Sequence, residues 1–417
     1  GSVRRDPDER PVPETGGTQA SAARKIPMVD LAAQHLALED ELLESFSAIF
    51  ASGRFVLGDT VAAFESALAK TCDRAHAIGC NSGTDALWLA LRGLGIGPGD
   101  AVLCPAYSFF ATGAAIVQVG ATPIFCDIDP VTLNLDPEDA IRRAEAVPNL
   151  RAVMTVDLFG RICELGPLAD YCREREIPII EDAAQAIGAT DAHGNEIGHR
   201  ARVACLSFYP TKNLGALGDA GCVVTDDPAL ADRMRRLRVH GECAPGVYDE
   251  VGINSRMDAL QAVALSVKLR HLEGWTRARR RLALHYDALF AERGATPSSA
   301  PTDATSFPLR TPAPCAPPER HTYHRYVVRV DAPLRGPLIE SLRAEGIATE
   351  IYYPRGMHTQ PALARYVPPK GSAAAAPLPE TERACREALA LPLYPEMGLE
   401  RIERVVGAVT QALTEDA

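Results

Sequence analysis

Between residues 75 and 225 short apolar runs alternate with amphipathic ones, which predicts a sheet with helices between its strands. Strands are expected at 75–79, 101–104, 122–126, 152–156, 177–180, 204–208 and 222–225. Apolar runs of this kind are buried on both faces, so the sheet should be parallel or mixed and covered by helices. Helices are read at 111–119, 137–144 and 165–174, with another over 86–91 that opens from Asn81-Ser82-Gly83-Thr84-Asp85. Upstream, 26–50 reads as an extended lead-in followed by an amphipathic helix, and 60–71 as a short helix. Downstream, 257–290 reads as one long amphipathic helix and 298–320, rich in Pro, Ala and Thr, as a linker loop. A strand at 326–330 and helices at 337–345 and 401–413 complete the pattern. The expected fold class is α/β: a large domain over 26–270 with a mostly parallel central sheet flanked by helices, then a smaller α+β domain over 271–417. Residues 1–25 are read as a disordered leader, with Gly1-Ser2 as an expression scar.

A length of 417 residues suits one large and one smaller domain. No run of 18 apolar residues appears, so no membrane span is expected. The net charge of −11 argues against nucleic acid as a partner, because phosphate backbones demand a basic face. A small phosphorylated ligand needs only local donors and stays open. The 11 cysteines are scattered and never in C-x-x-C spacing, which disfavours a zinc site or a disulfide framework. Reduced thiols fit the cytoplasm. No metal site is expected.

Ligands of open α/β sheets bind at the carboxyl ends of the strands, and the distinctive polar residues gather there. The chain has only five lysines among its 43 basic side chains. One of them, Lys212, lies in Ser207-Phe208-Tyr209-Pro210-Thr211-Lys212-Asn213-Leu214-Gly215. An amine can condense with an aldehyde, which a guanidinium cannot do usefully. Alone, Lys212 would pass as a solvated loop residue. Asp182 follows a buried strand and could keep a pyridine nitrogen protonated, and Gln185 could donate to a phenolic oxygen. Ser82-Gly83-Thr84 opens a helix, where free N–H groups and the helix dipole favour a phosphate; simple N-capping is the alternative. Ser207 offers a hydroxyl to the same anion, and Phe109 could stack on a ring. Together these are the groups that pyridoxal phosphate requires. The glycine cluster 95–99 follows a helix and precedes a strand, the wrong order for a dinucleotide fingerprint, and reads as a turn.

These motifs, in this order, resemble the DegT/DnrJ/EryC1/StrS family of sugar aminotransferases, within the type I aspartate aminotransferase fold. The resemblance also covers Gly252-Ile253-Asn254-Ser255-Arg256-Met257-Asp258, His358-Thr359-Gln360-Pro361 and Leu391-Pro392-Leu393-Tyr394-Pro395. It implies pyridoxal 5'-phosphate as cofactor, with Lys212 joined to its aldehyde. Asp182 would face the ring nitrogen, Gln185 the ring oxygen and Phe109 the ring face. Gly83, Thr84 and Ser207 would hold the phosphate. Asn254 would reach the site from the neighbouring subunit of a homodimer. The implied reaction is ping-pong transfer of an amino group from L-glutamate to a nucleotide-linked keto sugar, with Lys212 as the general base and acid.

Two segments depart from the family pattern. A basic-aromatic pair often follows Val239-His240-Gly241, where this chain has Glu242-Cys243-Ala244-Pro245-Gly246-Val247-Tyr248. The stretch Tyr353-Pro354-Arg355-Gly356-Met357 is one residue longer than the common form. His321, His324 and His358 are candidates for substrate contact. The sequence around Lys212 resembles branches acting on 3-keto sugars more than those acting on 4-keto sugars. A ketocyclitol acceptor and a dehydratase activity are alternatives, although the dehydratase branch carries histidine in place of the lysine. A non-catalytic regulatory protein on this fold is more remote, since pure binding needs no electron sink. Low lysine with high alanine and arginine fits a GC-rich bacterium and the biosynthesis of antibiotics or surface polysaccharides.

Overall fold

The computed structural model describes residues 25–301, 307–368 and 371–415. The expected leader lies outside these residues, save for Lys25. A seven-stranded sheet carries the large part of the molecule. Its strands are β1 (His76–Cys80), β2 (Ala101–Pro105), β3 (Thr122–Cys126), β4 (Leu150–Val156), β5 (Ile179–Asp182), β6 (Val203–Ser207) and β7 (Gly221–Thr225), in the order β1-β7-β6-β5-β4-β2-β3. Only β7 runs against its neighbours. Strands β2 and β7 are buried at every position, as a sheet covered on both faces requires. Helices Gly83–Gly93 and Phe110–Gln118 pack on one face, in a core with Ile78, Val102, Met154 and Val223. The other face is covered partly by the helix Gly58–Thr71, through Phe64 and Leu68.

A short hairpin, β8 (Glu242–Ala244) with β9 (Val247–Tyr248), projects from the segment that departs from the family pattern. Four strands form a second sheet: β10 (Thr296–Pro297), β11 (Leu309–Thr311), β12 (Tyr326–Val330) and β13 (Ala388–Leu391). Its core gathers Tyr286, Phe290, Val328, Leu342, Leu389 and Val409. Ile26 joins that core and bonds both ways with the chain at Gly346 and Ala348. The lead-in therefore docks on the C-terminal part of the molecule.

Several expected elements are corrected. The strand expected at 177–180 is Ile179–Asp182, because Asp182 still pairs with Val156 and Cys205 in the ladder. The helix expected within 26–50 is two helices, Leu31–Leu36 and Glu39–Ser52. The long helix expected over 257–290 breaks into Ala259–Leu269 and Leu272–Ala291. At the break, His271 N–H reaches back only three residues, to Lys268 O at 3.0 Å. The first of these helices packs on Glu39–Ser52 and Gly58–Thr71, the second on the C-terminal helix, so the chain must change direction between them. The expected 298–320 linker contains β11, and its residues 302–306 lie outside the described set. The helix expected from Pro337 begins at Ala332, with Pro333 in the first turn, where its missing N–H costs little.

Candidate active site

The carboxyl ends of β1, β2, β5 and β6 all open on one cleft of ≈ 1670 Å³, measured out to its mouth. At one side, Ser82 caps the helix Gly83–Gly93 by accepting Asp85 N–H at 3.0 Å. The helix start is pressed hard against the sheet. A Cβ on Gly83 would stand 2.6 Å from Ser207 Cβ, and one on Gly221 would stand 2.3 Å from the Ser82 carbonyl carbon. Glycine at both places lets the first N–H groups of the helix, which have no partner within it, stand beside the Ser207 hydroxyl. Ser255 fixes this corner by donating to Asp85 Oδ2 at 2.6 Å and accepting Asn81 N–H at 3.1 Å.

Asp182 lies deeper and is 6% exposed. Its Oδ2 accepts from Thr112 Oγ1 at 2.8 Å, and Oδ1 accepts Ala184 N–H at 3.2 Å. Burial raises its pKa; the Thr112 and Ala184 bonds and the nearby Lys212 charge oppose that rise. Lys212 sits in a tight loop after β6, closed by Lys212 N–H on Tyr209 O at 2.8 Å and Ala216 N–H on Phe208 O at 2.7 Å. Only glycine fits at 215, where a Cβ would meet Pro210 O at 2.2 Å. Burial pushes the Lys212 amine down to about 8; Asp182 resists this and Arg325 adds to it. Next to it, buried Asn213 ties the loop to the C-terminal part, donating to Thr322 O at 3.2 Å and meeting His324 Nδ1 at 3.2 Å. Burial first, then Arg325 and Lys212, hold the His324 imidazole well below its ordinary pKa and so neutral.

A half-buried amine beside a buried carboxylate, next to a helix start able to bind an anion, suits an aldehyde cofactor with a phosphate. The sequence profile of the DegT/DnrJ/EryC1/StrS aminotransferase family matches residues 37–410. The chain belongs to that family. The dTDP-3-amino-3,4,6-trideoxy-alpha-D-glucose transaminase of Streptomyces venezuelae is 38% identical over 390 residues, covering 93% of this chain and 96% of the relative. A protein of Geobacillus stearothermophilus described as a pleiotropic regulatory protein is 39% identical over 386 residues, covering 93% and 98%. The crystal structure of S. venezuelae DesV superposes with a TM-score of 0.83 at 37% identity, covering 93% of this chain and 98% of the other. The chain is thus a pyridoxal-phosphate-dependent sugar aminotransferase of type I fold.

The residues present fit that cofactor. Gly83, Thr84 and Ser207 form a cradle that a side chain at 83 would fill, Asp182 is a buried carboxylate, and Lys212 is an amine of lowered basicity. Phe109 stands at the lip, 58% exposed, with its ring 6.3 Å from that of Tyr353. Gln185 lines the cleft, but its amide is already oriented: Oε1 accepts Phe159 N–H at 2.7 Å and Nε2 donates to the Tyr353 hydroxyl at 3.2 Å.

Of the residues expected from sequence, Gly83, Thr84, Phe109, Asp182, Gln185, Ser207, Lys212 and His324 line the cleft. The other three do not. Asn254 is exposed, its Oδ1 accepting from Arg256 Nε at 2.9 Å. His321 opens on a second cavity of ≈ 450 Å³ with Arg161 and Arg329. Its ring stacks on Tyr323 at 3.9 Å, Nδ1 accepts Tyr323 N–H at 3.0 Å, and burial pushes it down to about 3. His358 lies in the turn Met357–Thr359, near Asp127 and Glu382. Thr112, Tyr353 and Arg325 are the site residues that sequence reasoning missed. Arg325 stands directly after His324, but among 38 arginines nothing in the sequence marks it as buried.

Proposed function

We propose that this aminotransferase carries an amino group from L-glutamate to the ketone of a nucleotide-linked sugar, 3-keto in preference to 4-keto, by a ping-pong route. The observation that supports it most is the Lys212–Asp182 pair: an amine pushed down to about 8 facing a buried carboxylate in one cleft. Pyridoxal phosphate, when bound, supplies an electron sink for charge at the carbon that carries the amine. The Asp182 carboxylate then holds the proton on the ring nitrogen, and Thr112 and Ala184 hold Asp182. The helix start at Gly83 and Thr84, with Ser207, takes the phosphate. Lys212 Nζ would take a proton from the substrate carbon and return it two atoms away, on the far side of the nitrogen; an amine pushed down to about 8 is suited to do both. Neutral His324 beside it adds no charge of its own to compete with the amine.

The relatives support the acceptor class. One from Acidithiobacillus ferrooxidans, 37% identical over 389 residues, is a UDP-N-acetyl-3-dehydro-alpha-D-glucosamine 3-aminotransferase. Asn254, exposed and not in the lining of its own chain's cleft, suits a role across a homodimer interface. No helix among the described residues is long and apolar enough to cross a membrane, in keeping with work in the cytoplasm. The test is product analysis. The protein charged with L-glutamate should aminate a nucleotide-linked 3-keto sugar faster than the 4-keto isomer. Equal or reversed rates would remove the 3-keto preference, and amination of a free ketocyclitol alone would replace the acceptor class.

A further inference from the structure

Among the described residues five arginines are buried: Arg143, Arg238, Arg279, Arg325 and Arg329. Three of them hold a carboxylate: Arg143 that of Asp139 at 2.6 Å, Arg238 that of Glu65 at 2.5 Å, and Arg329 that of Glu387 at 2.7 Å. Arg279 is capped by two backbone carbonyls, Tyr323 O at 3.3 Å and Leu393 O at 2.9 Å. Arg325 is the exception. It is 8% exposed and lines the cleft, yet the only bond of its guanidinium is to the carbonyl of its own neighbour, His324 O, at 3.1 Å. The guanidinium stands 5.3 Å from the Tyr352 ring, and Nε has no partner. A buried cation without a counter-ion is costly, so the site is incomplete until an anion arrives.

Arg325 also stands close enough to Lys212, His324 and Arg279 to push all three down. It therefore belongs to the wall where the amine reacts. An amino acid that reacts at the place of Lys212 carries its carboxylate one carbon from the reacting nitrogen, within reach of a cation in that wall. A guanidinium is a planar fork of donors that matches a carboxylate with two parallel bonds. We propose that Arg325 is the residue that recognises the α-carboxylate of the amino donor, and so selects amino acids over simple amines. This rests on the aminotransferase reading only in that the donor is an amino acid; it does not need that acid to be glutamate.

Wild type, Arg325→Gln and Arg325→Lys, each loaded with pyridoxal phosphate to the same absorbance, are titrated calorimetrically with succinate, a dicarboxylate without an amine. They are titrated with pyrophosphate in parallel, and their melting temperatures are read with and without succinate. Losing a charged hydrogen-bond pair should weaken succinate binding at least about tenfold in Arg325→Gln, with partial recovery in Arg325→Lys. Without ligand, Arg325→Gln should melt no lower than wild type, because it removes an uncompensated charge. Succinate binding unchanged in Arg325→Gln, undetectable in wild type, or weakened less than pyrophosphate binding would overturn the assignment. So would a fall in melting temperature with binding intact, which marks a structural role. A wild type that binds succinate through Arg325 but ignores L-glutamate would sink the glutamate donor and leave this site standing.

Discussion

The low basicity of Lys212 makes a prediction about stability. Its amine falls from 10.5 to about 8 on folding, chiefly through burial. At about 1.36 kcal/mol per unit, holding it protonated in the cofactor-free protein at pH 7 costs about 3 kcal/mol. The unfolded chain binds this proton more tightly than the folded one between about pH 8 and 10.5. The cost is therefore full below that window and relieved as pH rises through it. At pH 9.5 it should have shrunk to roughly 1.4 kcal/mol. Lys212→Met keeps the volume and removes the charge. Part of the gain is offset, because Asp182 loses the cation that opposes its raised pKa. The cofactor-free variant should thus unfold about 1–3 kcal/mol later than wild type at pH 7, and by clearly less at pH 9.5. Urea titrations at both pH values, at one protein concentration, measure it. A variant less stable than wild type at pH 7, or a difference unmoved by pH, would refute the reasoning. The same variant should be inactive, the usual trade of stability against a working site.

Asp182→Asn removes the charge that holds the ring proton while keeping the Thr112 contact, so it should bind cofactor but slow the glutamate half-reaction at least about 100-fold in stopped-flow absorbance. Gly83→Ala forces a methyl to within 2.6 Å of Ser207 Cβ. It should weaken cofactor binding about tenfold in equilibrium dialysis and cost about 1–3 kcal/mol of stability. If Asn254 serves the neighbouring subunit's site, mixing inactive Lys212→Ala with inactive Asn254→Ala protein should restore about one quarter of wild-type activity, since each mixed dimer holds one intact site. Separate addition of the two proteins, without subunit exchange, should restore none.

The strands were the most legible part of the fold. Residues 122–126 form β3 with the expected bounds, because a strand buried on both faces is an unbroken apolar run. The break at Arg270 and His271 was invisible, because one turn of altered hydrogen bonding leaves the helical period nearly intact. In the site, Lys212 stood out because lysine is scarce in this chain, and Asp182, Ser207 and Gly83 because they follow strands in the order that resembles one family. Three-dimensional placement was less legible. His321 and His324 are three residues apart, but Tyr323 between them turns the chain at φ 46°, and the two rings open on different cavities. No periodicity announces such a turn. Arg325 was missed because composition treats a buried arginine and a solvated one alike.

The role of Lys212 is tested most directly by the visible spectrum of the purified protein before and after L-glutamate, beside that of Lys212→Ala. Wild type should show a pyridoxal phosphate band that shifts to the pyridoxamine form on adding glutamate, and the variant should show no such shift. A wild type that binds no cofactor, or a Lys212→Ala protein that converts as wild type does, would contradict the role given to Lys212.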